Sequence, residues 1–194
     1  DNARKNLAAE IPGWNFNEVR QASSDIWNQA LGQIAVKGNN EKEMVKFYSA
    51  LYNAHFLPRT FSDVDGSYPR FDGDGQIMKM DHGTYYCDFS QWDTYRAVHP
   101  LFSILTPSRN GDMAHSLVLK GQQGGWLPIF PSWNSYTAAM IGDHCIAMIG
   151  DAIVKDTPGF DYEEAYTLMR KNAFEANPDS GSYRDGKGRR AMEC

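Results

Sequence analysis

Apolar residues in this chain recur at helical spacing in discrete stretches, and the connections between those stretches are alternately short and long. Asn15 followed by Glu18 is a capping-box pattern that predicts a helix start. Phe16, Val19, Ile26, Ala30 and Ile34 carry its stripe to about Val36, widened by Trp27 and Leu31. Gly38-Asn39-Asn40 stops it, and a second helix is predicted from Glu41 to about Phe56, with Met44, Tyr48, Leu51 and His55 on one side. So short a loop between two amphipathic helices implies an antiparallel pair. Pro58 to about Phe89 differs in kind, being rich in Gly, Asp and Tyr and without a sustained period. A connection of that length is uncommon inside a compact domain unless it is functional. Within it, Gln76–Met80 and Thr84–Cys87 read as a small hairpin around Asp81-His82-Gly83.

Helical spacing resumes at Ser90–Leu105, where Pro100 predicts a kink or break, and again at Asp112–Gln123. Tyr136–Lys155 is apolar on nearly every face, which predicts a buried helix. Asp161–Ala176 follows, with Asp161 and Glu164 as a second capping pattern, Pro178 closing it and a Gly- and charge-rich loop over Asn177–Arg190. These helices predict a mainly all-α fold. A ring of inner and outer helix pairs, part of an (α/α)6 toroid, accounts for the alternating connections better than a simple bundle does. Residues 1–14 are read as a linker entering the domain, extended over Lys5–Trp14, and residues 15–194 as the N-terminal portion of the barrel. The absence of an initiator Met and the helix-like opening at Arg190–Cys194 lead us to expect an internal fragment.

A net charge of −5 with no basic block speaks against a nucleic-acid partner, and no apolar run is long enough for a helix to span a bilayer. Cys87, Cys145 and Cys194 lack Cys-x-x-Cys spacing, which argues against a cysteine zinc site and a disulfide framework. There is no nucleophile elbow, no phosphate-cradling glycine loop and no His-Glu-x-x-His. The groups that remain are carboxylates, a set suited to glycoside chemistry more than to acyl or phosphoryl transfer.

Asp88–Pro100 sets Asp93 and Arg96 three residues apart beside Trp92. On a helix the two charges share a face and brace each other. They form either an internal ion pair at a helix entrance or the edge of a site for a small hydroxylated ligand, whose C–H face the ring would cover. Asp63-Val64-Asp65-Gly66 and Asp72-Gly73-Asp74-Gly75 resemble calcium loops, yet the EF-hand ligand order is missing and Asp-Gly pairs also form ordinary turns. His99 reads as a structural histidine. Asp143-His144, placed inside the buried helix, needs partners there. Trp126, Phe130 and Trp133 suit a pocket lining and a core equally well.

In chain order, Phe47–Tyr52 leading into Phe61–Gly66, Trp92-Asp93-Thr94-Tyr95-Arg96 with His99-Pro100-Leu101, Gly124–Pro128 and Met140–His144 resemble glycoside hydrolase family 92, the alpha-mannosidases. The resemblance runs from about Arg4 to Cys194. It implies a β-sandwich followed by an (α/α)6 barrel, of which this chain is the first part. It also implies a calcium-dependent, exo-acting, inverting enzyme, exported from a bacterium, that releases mannose from alpha-mannosides, chiefly 1,2-linkages of N-glycans. On the matching blocks, Asp63, Asp65, Trp92, Asp93 and Arg96 are implied to bind substrate, with Trp133, Tyr136 and His144 as further pocket candidates. The general acid, the general base and most calcium ligands are implied to lie outside residues 1–194, so no catalytic pair is nominated and no metal ligand is assigned.

One segment departs from the family pattern. Where many members read Trp-Glu-Leu-Ala-Gly-Asn-Glu-Thr, this chain has Phe130–Thr137, with Pro131 and Tyr136 at the two acidic positions. The alternatives are a non-catalytic carbohydrate-binding helical module, or a toroid enzyme such as a polysaccharide lyase that would use Tyr136 or His144 as its base.

Overall fold

The computed structural model describes residues 2–73, 75–137, 139–140 and 142–175. Asp74, Pro178, the 177–190 loop and the expected opening of a helix at 190–194 lie outside the described residues. The chain divides into two compact units.

The first unit spans residues 1–56 with Asp63–Asp65 and contains α1 (Asn2–Glu10), α2 (Phe16–Leu31) and α3 (Glu41–Ala54). The segment read as an extended linker is therefore helical as far as Glu10. This helix is anchored by side-chain contacts that no short-range pattern reveals. Asn2 and Asn6 donate to the two oxygens of Asp63 at 2.9 and 2.6 Å, and Lys5 pairs with Asp65 at 2.9 Å. Helix α2 starts where the capping pattern puts it, with Asn15 accepting from the Asn17 N–H and its amide donating to Glu18. It ends at Leu31, short of Val36, with Gly32 as its cap. Helices α2 and α3 pack through Trp27 on Tyr52, ring centroids 4.4 Å apart, and the Tyr48 hydroxyl donates to the Ile34 carbonyl. Trp14, Phe16 and Ile26 remain exposed, while Leu51 is buried.

The second unit spans Leu57–Ser62 and the residues from Gly66 onward. It carries two small antiparallel sheets: β1 (Arg59–Thr60) with β4 (Tyr86–Cys87), and β2 (Ser67–Pro69) with β3 (Ile77–Lys79). The expected hairpin of Gln76–Met80 with Thr84–Cys87 does not form, because each of those strands pairs with an earlier partner. Helices α4 (Gln91–Thr94), α5 (Val98–Leu105), α6 (Pro107–Gly124), α7 (His144–Val154) and α8 (Tyr162–Phe174) follow. The break in Ser90–Leu105 falls at residues 95–97, ahead of Pro100. Pro100 itself occupies the first turn of α5, where a missing N–H costs no helical hydrogen bond. Among the described residues the long apolar stretch is helical from His144, so Asp143 is the N-terminal flanking residue of α7 and not a group inside it. Asp161 caps α8 by accepting from the Glu164 N–H.

Phe89, Phe102, Leu117, Leu127, Met148, Ile149 and Ala165 form the centre of the second unit's core, and Cys87 and Cys145 are buried free thiols. Two basic side chains are enclosed with them. Lys120 is fully buried, with its amine donating to the Tyr86 carbonyl at 2.6 Å over the Tyr85 ring, and burial pushes its pKa down to about 7. His99 is buried against Asn110, and burial pushes its pKa down to about 4.

A histidine neutral in the folded chain and free to protonate when unfolded makes stability rise with pH between its two pKa values. Stability carried by His99 is thus present above about pH 6.5 and is lost as the pH falls toward 4. We expect urea unfolding at pH 5 to show roughly 2 kcal/mol less stability from this group than at pH 7. Replacing His99 with glutamine should flatten that slope.

Candidate functional site

Helix α4 and the turn after it put Trp92, Tyr95 and Arg96 on one edge of the second unit. The Ser90 hydroxyl donates to Asp93 at 2.6 Å, and the Thr94 hydroxyl donates to the Ser90 carbonyl. These two bonds tie the short helix to its own entry. Arg96 then folds back so that its Nε donates to the Trp92 carbonyl at 3.2 Å. Its guanidinium carbon lies 4.6 Å from the Trp92 ring centroid and 5.0 Å from that of Tyr95. On the far side Tyr95 stacks on His144, at the start of α7, with centroids 4.9 Å apart and planes 19° apart. The sequence-predicted Asp93–Arg96 ion pair is absent, because α4 ends at Thr94 and the helical spacing that would brace the two charges stops before Arg96.

The arrangement has a definite chemical capacity. Both terminal amino groups of Arg96 are without a hydrogen-bond partner among the described residues, and the side chain is exposed between aromatic faces. A guanidinium fork held in plane by its own Nε bond and by two rings is pre-organised to donate to a pair of neighbouring oxygens. Trp92, 41% exposed, offers an apolar face beside it, and the Asp93 carboxylate can accept from hydroxyls.

A second exposed ring is presented by the loop before α7. Trp133 is 82% exposed, at the tip of a turn closed by the Ser132–Ser135 bridge. Its backbone is left-handed, φ 50° at Trp133 and 57° at Asn134, a conformation that costs non-glycine residues energy and needs outside support. Support comes from Asp88, whose carboxylate accepts from the Trp133 N–H at 2.9 Å and from the Ser132 hydroxyl at 3.2 Å. Asn134 adds to it by donating to the Pro69 carbonyl and accepting from the Tyr85 hydroxyl.

The remaining candidates fall elsewhere. Tyr136 is half-buried: its hydroxyl donates to the Trp126 carbonyl at 2.6 Å, its ring meets Phe71 edge-on, and burial raises its pKa. It braces the Gly124–Trp126 turn. Asp63 and Asp65 belong to the first unit, where Asn2, Lys5 and Asn6 occupy their oxygens. Trp126 and Phe130 do not share Trp133's exposure, and Trp126 is buried under Lys171.

Two contributors escaped sequence reasoning. Tyr95 joins Arg96 to His144, and its place in the Trp-Asp-Thr-Tyr-Arg block was a signal that could have been used. Asp88 anchors the Trp133 loop across 45 positions, and nothing local announces that. The described residues also contain one group of three metal-capable side chains, Asp81, His82 and His115.

A family model for the glycosyl hydrolase family 92 catalytic domain matches residues 2–193. The alpha-mannosidase BT3965 from Bacteroides thetaiotaomicron is similar at 36% identity and a TM-score of 0.84, over 92% of this chain and 24% of that one. The inverting mannosidase BT2199 from the same organism is similar at 26% identity and a TM-score of 0.86, over 99% of this chain and 25% of that one. A further family structure, ccman5, shares the fold at 23% identity and a TM-score of 0.69, over 94% of this chain and 26% of its own. No curated protein sequence matches the chain. The chain spans about a quarter of the length of these solved relatives.

Proposed function

Because this chain belongs to glycosyl hydrolase family 92, we propose that it supplies a sugar-contacting edge of an alpha-mannosidase. The observation that carries the reading is Arg96, its guanidinium over the Trp92 and Tyr95 rings and its terminal amino groups unpartnered among the described residues. Vicinal hydroxyls of a terminal mannose would accept from the guanidinium fork, Asp93 would accept from a hydroxyl, and Trp92 would cover the C–H face of the ring. BT3965 has also been solved in complex with mannoimidazole, which supports a mannoside as the ligand class.

The finer reading is an exo-acting enzyme, exported from its cell, cutting alpha-1,2-mannosides of N-glycans with inversion. BT2199 is described as inverting, which supports that outcome. An inverting pair of carboxyl groups stands roughly 6.5–9.5 Å apart, one protonating the leaving oxygen and the other activating water. In this reading the pair lies outside residues 1–194, with the remaining barrel helices and a β-sandwich domain as its setting. No helix among the described residues is long and apolar enough to cross a membrane.

Calcium belongs to the same reading, with most of its ligands outside these residues. A calcium ion takes six to eight oxygens. Asp63 and Asp65 are already committed to amide and amine donors, and the one metal-capable group of three is two-thirds imidazole.

The test is mannose release from alpha-1,2-mannobiose by the intact protein, with and without a calcium chelator, and proton NMR of the first anomer formed. Release of beta-mannose, abolished by chelation and restored by calcium, is the expected result. Retained mannoside binding with no release would favour the non-catalytic binding module instead.

A further inference from the structure

Away from this edge, the turn between β3 and β4 meets the middle of α6 in a cluster that the mannoside reading does not use. Asp81, His82 and His115 can each offer one ligand atom, and those atoms all lie within 4.8 Å of one another. Two features of the cluster point to a ligand.

The first is the tautomer of His82. Its Nε2 stands 3.0 Å from the Gly159 carbonyl, which can only accept, so Nε2 carries the proton. In the neutral ring Nδ1 is then a bare lone pair, and it faces the Asp81 carboxylate oxygen at 3.0 Å. A lone pair against a carboxylate is repulsive unless a positive centre joins them, either a second proton on the ring or a cation. Donation of the distal N–H to a backbone carbonyl is also how metal-ligating histidines are oriented. The second feature is His115, nine-tenths buried and stacked on His82 with centroids 4.6 Å apart. Its Nδ1 is buried without a hydrogen-bond partner among the described residues, against the general rule for interior polar atoms.

We propose that Asp81, His82 and His115 form a binding site for a zinc-type divalent ion, clipping the β3–β4 turn to α6. Two imidazoles and one carboxylate, open to solvent on the Asp81 side, match the three-ligand-plus-water pattern of zinc. The same donors suit a calcium ion poorly, so this site is distinct from any calcium the family uses. With bonds of about 2.1 Å, donors around a tetrahedral ion stand roughly 3.4 Å apart, so the cluster must close by up to about 1.4 Å. Asp81 is exposed and can swing inward, while His82 tilts about the Gly159 bond that it keeps. Asp112 completes the surroundings without joining the ligands, since its carboxylate accepts from the Thr84 N–H at 3.0 Å and holds the turn in place.

Zinc titration of the intact protein by calorimetry, in excess calcium, tests this. One zinc site that calcium does not compete for is the expected result, weakened more than tenfold by His82→Ala and again by Asp81→Asn. Both residues are exposed, so these variants should fold, and circular dichroism checks that they do. His115→Gln should also lose the site. Zinc affinity unchanged in folded His82→Ala, or no zinc binding by the wild-type protein, would overturn the proposal.

Discussion

Gly111→Ala is expected to cost about 3 kcal/mol or more of folding stability, and Gly111→Val to leave no folded protein. Gly111 lies within the first half of α6, where the helix crosses the turn that carries Thr157 and Pro158. A Cβ built there would land directly on the Pro158 carbonyl oxygen, with that carbonyl's carbon also too close for contact. Backbone cannot swing aside as a side chain can, so helix and turn would have to separate. Separation would in turn unseat Thr157, which is buried, and the Gly159 carbonyl that orients His82.

Gly121 on the same helix supplies the control. A Cβ there meets the methyl ends of Leu168 and Leu127 at 2.9 and 3.0 Å, which flexible side chains can relieve. Gly121→Ala should therefore cost less than half as much as Gly111→Ala in urea unfolding. Equal costs would mean that the close backbone crossing at Pro158 is not what fixes α6.

The difference between these two glycines marks the limit of what the residues disclose by themselves. Periodicity located α2, α3, α6 and α8, and the Asn15 and Asp161 patterns the starts of α2 and α8, because the burial of a stripe and the need for a cap are local demands; α6 starts at Pro107, ahead of the expected Asp112. The strand partners were misread because a two- or three-residue strand has no register of its own. Ile77–Lys79 pairs with Ser67–Pro69 and Tyr86–Cys87 with Arg59–Thr60, across distances that no turn signal encodes. Helix α1 was missed since its hold on the chain is through Asp63 and Asp65, about 60 positions away. The apolar run from Tyr136 was too long as a helix. Ahead of His144, Tyr136 props the Trp126 turn, and Met140 and Gly142 have left-handed backbone.

The candidate site was legible in part for the same reason. Trp92, Asp93 and Arg96 are neighbours in sequence, so they arrive together whatever the fold does. Their relation was not legible. An ion pair was the local expectation, and the outcome is a guanidinium turned onto two rings while Asp93 takes the Ser90 hydroxyl. His144 joins through Tyr95, a contact made only when α7 packs beside α4. Asp63 and Asp65, equally legible as a motif, are engaged in the first unit by α1, and that commitment is tertiary.

Arg96 carries the central claim. A fork that donates to two hydroxyls of a bound sugar, in a site drained of water by the substrate itself, is worth about 1.5–3 kcal/mol, or roughly ten- to a hundredfold in kcat/KM. Since the guanidinium is exposed, with Nε on the Trp92 carbonyl as its one direct hydrogen bond among the described residues, removing it should leave the fold nearly untouched. Arg96→Lys keeps the charge but loses the planar fork, and should fall between wild type and Arg96→Ala. The deciding measurement is kcat/KM of the intact protein on an alpha-mannoside for wild type, Arg96→Lys and Arg96→Ala, each with its melting temperature. A graded loss across the three at constant melting temperature is the predicted result. Unchanged kinetics in Arg96→Ala would contradict the account and remove the Trp92–Arg96 edge from the substrate site.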